Sequence, residues 1–358
     1  MNSLLHQLQG LIRSGEPVVL ATVIRTRGST PQKPGSSAIF GEQGLLAGTV
    51  GGGLLEAEVQ QIASHVLISG VSDTYYFNLD SGPDENGSIC GGEAEVLVDG
   101  NPRIHAGLWE TIGHSLHTRN AGRMITIVSR QQGSGRGIAR HWIPENHGHT
   151  PPRGMDPGDW KLIRDLIPPF PGQDFLELTL EQAAGQSERI AFLELIKPLP
   201  WLVIAGAGHV GKALAHIGAL LDFHVYVIDD RPGFANKDNI PDADLLKVAD
   251  VGNAMRELDP RPDTYVVIVT REHRHDAEAL RSCIGSNAAY IGMIGSKHKV
   301  AVMKKQFLDK GWATEEQWSR IHSPVGIPIG SKTVQEIAVS IAAELVKTRN
   351  QKDTYHAS

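Results

Sequence analysis

Apolar positions recur along this chain with two periods. Leu4, Leu5, Leu8, Leu11 and Ile12 keep one helical face and are interrupted by polar residues, which predicts a surface helix ending at Gly15. Residues 18–24 form a β-branched apolar run and read as a buried strand, while 36–40 and 45–50 flank Gly41-Glu-Gln-Gly44 as the arms of a hairpin do. Leu55, Val59, Ile62, Ala63 and Val66 return to helical spacing, and 74–79, 93–98 and 124–129 read as further strands, the last after a second helix. This α+β texture covers residues 1–130. From 131 to 198 the chain is rich in Gly, Pro and His, and Pro151-Pro152, Pro157, Pro168-Pro169 and Pro171 interrupt regular structure. That pattern predicts a linker with some strands, at 175–178 and 190–196.

The pattern changes again over 199–350. Residues 202–205 are continuously apolar, as a central parallel strand requires. They lead into Gly206-Ala-Gly208-His209-Val-Gly211, after which Ala213, Leu214, Ile217 and Leu221 keep helical spacing and a second strand, 224–228, ends at Asp229. Strand, G-x-G-x-x-G, helix, strand, acid is the dinucleotide-binding pattern. Gly206 permits the tight turn, Gly208 lets backbone approach a pyrophosphate, Gly211 lets helix pack on strand, and the helix N-terminus supplies amide donors. Asp229 stands where an acid takes ribose hydroxyls and repels a 2′-phosphate, which favours NAD over NADP. A Rossmann fold whose glycines serve only the turn is the alternative.

Later strands end at Asp250, at Thr270 and at Gly292-Met-Ile-Gly295-Ser296. Ligands in such sheets lie beyond the carboxyl ends of the strands, so these residues ring one crevice with Asp229 and the glycine turn. Thr333-Val-Gln-Glu336 is a capping box that opens a last helix. The predicted fold class is therefore α/β, a C-terminal Rossmann-type parallel sheet preceded by an α+β N-terminal domain.

Charge and cysteine content narrow the chemistry. A net charge of -6 lacks the basic excess of proteins that bind nucleic acid or membrane surfaces broadly. No apolar run approaches the roughly 20 residues that span a bilayer, and the N-terminus lacks a signal-peptide pattern, so a cytoplasmic protein is expected. Two cysteines, Cys90 and Cys283, are too few for a disulfide framework or an all-cysteine zinc site. Cys283 falls in an apolar helical stripe and reads as core. His147-Gly-His149 reads as solvated loop, and His273 and His275 with Asp276 as crevice lining or a helix start rather than a metal site.

Three N-terminal segments have the makings of a site. Arg25-Thr-Arg27-Gly-Ser-Thr30-Pro-Gln-Lys33-Pro-Gly35 gathers three cations among small residues. Gly48-Thr-Val-Gly51-Gly52-Gly53 runs into a helix and exposes backbone amides to an anion. Cys90-Gly91-Gly92 leaves a sulfur approachable. Each also has a plain reading, as solvated turn, strand–helix turn or small buried hydrophobe. Together they predict a pocket for an anionic, sulfur-interacting ligand.

These segments in series, with Asp229-Asp-Arg-Pro232, Ala289-Tyr-Ile-Gly-Met-Ile-Gly-Ser296 and Ile321-His-Ser-Pro-Val-Gly326, resemble the xanthine dehydrogenase accessory factor (XdhC/CoxI) family over nearly the whole chain. The resemblance implies a protein that binds molybdenum cofactor (molybdopterin), supports its sulfuration and delivers it to a xanthine dehydrogenase-type molybdenum hydroxylase. A sulfur-donating cysteine desulfurase is then a further partner, and a homodimer is expected. Arg25, Lys33 and Gly51–Gly53 would hold the pterin phosphate. Many relatives carry cysteine where this chain has Leu54, so contact with sulfur or molybdenum falls on Cys90. Relatives often read Thr-His-Asp-His where this chain has Thr270-Arg-Glu-His273, which removes support for a role of that loop. An NAD-dependent oxidoreductase and a dinucleotide-sensing regulator are the competing readings. The first is weakened by the absence of a convincing acid–base pair after the fourth or fifth strand.

Overall fold

A computed structural model of the chain describes residues 2–79, 92–130, 135–145, 150–168, 172–180 and 189–355. The chain divides into two compact units, Met1–Pro198 and Leu199–Ser358.

The first unit opens with α1 (Asn2–Ser14), β1 (Val19–Gly28), β2 (Ser37–Gly41), β3 (Gly44–Gly48) and α2 (Gly53–Ser69). It continues with β4 (Asp73–Asn78), β5 (Gly92–Asp99), α3 (Ala106–His117), β6 (Gly122–Arg130), β7 (Arg136–Pro144), α4 (Pro157–Ile163), β8 (Phe175–Leu180) and β9 (Arg189–Ile196). All its strand pairs are antiparallel, in two sheets of order β3-β2-β1-β5-β4 and β7-β6-β9-β8.

Two-residue alternation sets the layers. In β1, Val19, Ala21 and Val23 face α2 with Val59, Ala63 and Val66. Ile24, one step out of phase, meets Val128 and Phe192 of the second sheet. In β9, Ala191 and Leu193 pack on Trp160 and Ile163 of α4, while Phe192 and Ile196 face the other way. The order is helix, sheet, sheet, helix. Residues 131–198, where the proline spacing reads as linker, contribute β7, β8 and β9 to the second sheet.

The second unit contains β10 (Trp201–Ala205), α5 (His209–Leu220), β11 (His224–Asp229), β12 (Leu245–Val248), α6 (Val251–Glu257) and β13 (Thr264–Ile268). It ends with α7 (His273–Cys283), β14 (Tyr290–Met293), α8 (Lys297–Asp309), α9 (Glu315–Ser319), β15 (Ile321–His322) and α10 (Val334–Tyr355). Its six strands are parallel in the order β12-β11-β10-β13-β14-β15. The apolar run of β10 is explained by helices on both faces. Leu202 and Ile204 pack with Leu214 of α5 and Ile341 of α10, and Val203 and Ala205 with Met255 of α6 and Leu280 of α7. The capping box forms, Glu336 N–H donating to Thr333 Oγ1 at 3.2 Å and Thr333 N–H to Glu336 Oε2 at 2.9 Å. No helix among the described residues is long and apolar enough to cross a membrane.

Candidate functional site

The turn from β10 into α5 separates three glycines by what each is for. A Cβ on Gly211 would lie 1.9 Å from the Gly206 carbonyl oxygen, and one on Gly206, at φ 120°, would lie 2.5 Å from the Val269 carbonyl oxygen. The fold itself demands both. Gly208 has extended backbone that any residue adopts, φ −69°, and an added Cβ would meet nothing within 4 Å. Packing therefore does not explain Gly208, and the space before it opens onto the start of α5, a helix with no side-chain cap. His209 is its exposed first residue.

Asp229 is buried beneath this turn. Its carboxylate accepts from Ala207 N–H at 2.7 Å, from Arg231 N–H at 3.0 Å, and from Arg231 Nε and Nη2 at 2.8 and 2.9 Å. Burial pushes the carboxyl up, but the Arg231 and Ala207 donors outweigh it and hold it below its ordinary value. Both oxygens are thus engaged within the chain, so Asp229 braces the turn, and a ribose would have to displace the Arg231 guanidinium. Asp229→Ala should lower the stability of this unit by about 1–3 kcal/mol, because the orphaned Ala207 amide stays buried. Urea denaturation measures this, and an unchanged midpoint would show that the donors find other acceptors. The stabilisation is present at neutral pH and lost as pH falls through the acid range.

Other crevice positions have local tasks. Asp250 caps α6 through Asn253 N–H at 2.9 Å, and Ser296 caps α8 through Lys299 N–H at 3.2 Å. Gly292 is buried in β14, where a Cβ would lie 2.6 Å from Tyr290 and from Val325, and Gly295 has only ordinary contact with Lys299. Thr270 donates to Asp276 Oδ1 at 2.5 Å, and Lys299 Nζ to Asp276 Oδ2 at 2.6 Å. Asp276 is fully buried. No local signal in the sequence joins Asp276 to Lys299, because they lie 23 residues apart on different helices. Cys283 is buried, and burial pushes its thiol up to about 12, so it behaves as core.

In the first unit, two of the three segments meet. A Cβ on Gly51 would lie 2.8 Å from Pro31, so the loop containing Lys33 rests against the glycine turn. Gly51, Gly52 and Gly53 all have positive φ (142°, 66° and 56°), and the last two face open space. α2 has no side-chain cap behind them. Arg25 is committed elsewhere, donating to Glu95 at 2.7 Å and to both oxygens of Glu177. Cys90, like His147 and His149, lies outside the described residues. Gly92 pairs with Gly28, two positions after Cys90 in the chain.

Lys33 lines a groove of about 470 Å³ with Gly35, Ser36, Ser37, Thr49 and Glu194. The one sequence signal for Glu194 is that it interrupts the otherwise apolar run 190–196. Burial pushes its carboxyl up to about 7, against an opposing pull from Arg140. Arg140 forms a buried ion pair with Asp99. No group of three His, Cys, Asp or Glu side chains among the described residues could hold a metal ion.

Residues 202–345 match the model of the XdhC Rossmann domain, and residues 11–78 that of the XdhC and CoxI family. The chain is 28% identical over 349 residues to a Bacillus subtilis protein whose name makes it a probable subunit of xanthine dehydrogenase, covering 96% of this chain and 97% of that one. It is 20% identical over 338 residues to the molybdenum cofactor insertion chaperone PaoD of Escherichia coli, covering 94% and 85%. A crystal structure from Bacillus halodurans, described as a xanthine dehydrogenase, has the same fold, with a TM-score of 0.76 at 24% identity over 97% of this chain and 96% of that one.

Proposed function

The chain belongs to the XdhC and CoxI family, and on that premise we propose that it is an accessory protein that binds molybdenum cofactor as cargo. It would support the cargo's sulfuration and deliver it to a xanthine dehydrogenase-type molybdenum hydroxylase. The name of the E. coli relative supports cofactor handling, and that of the B. subtilis relative supports the client class.

The observation that carries a binding role over a turnover role is in the crevice. Gly208 leaves an open cradle that packing does not require, while the acidic side chains around it are already engaged. Asp229 is held by Arg231 and Ala207, Asp250 caps a helix, and Asp276 holds Thr270 and Lys299. Amides at the start of α5 suit a phosphate of the ligand. The engaged Asp229 lends no support to NAD as a resident cofactor. The uncapped glycine turn before α2 and the neighbouring Lys33 suit a second anionic group.

Cys90 is the residue assigned to sulfur or molybdenum contact, thiolate being a soft ligand suited to both. Cys90→Ser should fold as the parent does, yet fail to activate a client molybdenum hydroxylase on co-expression. The measurement is client activity together with molybdenum and pterin content of the purified accessory protein. Full client activation by the variant would remove Cys90 from the pathway. Absence of molybdenum and pterin from the parent protein, purified from cofactor-producing cells, would overturn the function as a whole.

A further inference from the structure

The strand β9 breaks its own alternation at one residue. Ile190, Phe192 and Ile196 face the space between the two sheets, and the register places Glu194 in that row. A carboxyl group in an apolar layer is costly unless something bonds it. Glu194 is 5% exposed, and its Oε1 has no hydrogen-bond partner among the described residues. The group lies between two spaces. On its inner side is a cavity of about 30 Å³ with Thr22, Thr126 and Arg140, room for a water or two. On its outer side is the groove of about 470 Å³, a size that suits a small heterocycle.

Two kinds of group bring chemistry to the groove. Glu194 lines it beside Ser36 and Ser37, whose hydroxyls already bond Gln32 Oε1 at 3.0 Å and Thr22 Oγ1 at 2.9 Å. Lys33 lines it too, its side chain 80% exposed and 3.9 Å from Asp174. Gly35 adjoins the Glu194 oxygen, since a Cβ there would stand 3.6 Å from Oε1. A carboxylate with an unpartnered oxygen matches an adjacent pair of N–H donors, which it accepts through two charge-assisted hydrogen bonds. The Lys33 ammonium matches an anion.

We propose that this groove is a pterin subsite, in which Glu194 accepts the ring N–H and 2-amino group of the aminopyrimidinone edge and Lys33 meets the side-chain phosphate. The proposal rests on the cofactor-binding function above. Guanine nucleotides carry the same edge, so the test separates the two sources. Donors reaching Glu194 stabilise its charged form, so ligand uptake drives a proton off the carboxyl. Arg140 on the cavity side and Lys33, Lys197 and Asp174 along the groove are the other charged groups lining these spaces.

The experiment is calorimetry on the full chain at pH 6, in two buffers of different ionisation enthalpy. The probes are 6-hydroxymethylpterin phosphate, its unphosphorylated form, the corresponding lumazine (oxygen in place of the 2-amino group) and GMP. The parent should release protons on binding the pterin phosphate and prefer it at least tenfold over the lumazine and over GMP. Glu194→Gln should lose the proton release and the preference over lumazine. Lys33→Ala should weaken the phosphorylated pterin alone. Equal affinity of the parent for pterin and lumazine, preference for GMP, or undiminished pterin preference in Glu194→Gln overturns the proposal. Should Glu194→Gln fail to fold, the lumazine comparison and Lys33→Ala decide it. Molybdenum retained equally by parent and Glu194→Gln, with the preference unmoved, overturns this subsite and leaves the cofactor-binding function standing. A parent that retains neither molybdenum nor pterin overturns both.

Discussion

Gly211→Ala is expected to cost the C-terminal unit about 3–5 kcal/mol or to prevent its folding, whereas Gly208→Val should change stability by no more than about 1 kcal/mol and still abolish binding at the turn. The contrast follows from what each added side chain meets. At Gly211 the new Cβ would stand 1.9 Å from a backbone oxygen of Gly206 and 3.3 Å from Ile204, so α5 must move away from β10. That displacement opens the packing of Leu214 and Ala215, both fully buried against the sheet. At Gly208 the new side chain enters empty space from an allowed backbone conformation. It would occupy the ground over the first amides of α5, which a phosphate needs. Denaturation curves of the two variants, with molybdenum cofactor retention for Gly208→Val, make the comparison. Undiminished retention in Gly208→Val would mean that the glycine turn serves the fold alone.

The second large effect is a pH dependence centred on Glu194. Its folded-state pKa is raised from the ordinary 4.5 to about 7, so the native protein binds a proton more tightly than the unfolded chain does. The favourable contribution is fully present below pH 4.5 and is lost as pH rises through 7. A shift of this size corresponds to about 3 kcal/mol between those limits. The first unit should therefore be less stable at pH 8 than at pH 5, and Glu194→Gln should remove most of that slope and be the more stable form at pH 8. Urea midpoints at the two pH values test this. Parallel pH dependence of parent and variant would show that water or neighbouring donors already satisfy the carboxylate.

The residues responsible for these effects differ in how far the chain itself announces them. Gly206, Gly208 and Gly211 stand within one turn between an apolar strand and an apolar helical stripe, and the Thr333–Glu336 box closes over four positions. Hydrogen bonds and sterics at that range depend on local spacing, so pattern alone places them. The same holds for the β2–β3 hairpin and the helical face of α2. β7 is not legible in the sequence, for a physical reason. Arg140 and His141 are both buried, so neither face of the strand reads as apolar, and Arg140 is tolerated because Asp99 of β5 pairs with it.

The amino-acid order by itself determined the Rossmann unit, its glycine turn and the Thr333–Glu336 capping box, and it marked the Lys33 loop and Gly51–Gly53, which the fold sets side by side. Only the tertiary structure decided what the side chains there are doing. It turned Asp229 inward onto Ala207 and Arg231, paired Arg25 with Glu95 and Glu177, joined Asp276 to Lys299, and left Glu194 between a cavity and a groove. Each of those outcomes depends on a partner brought from another element. Periodicity records which face of an element is buried, but the charge or space that a buried polar group meets is set by which elements become neighbours.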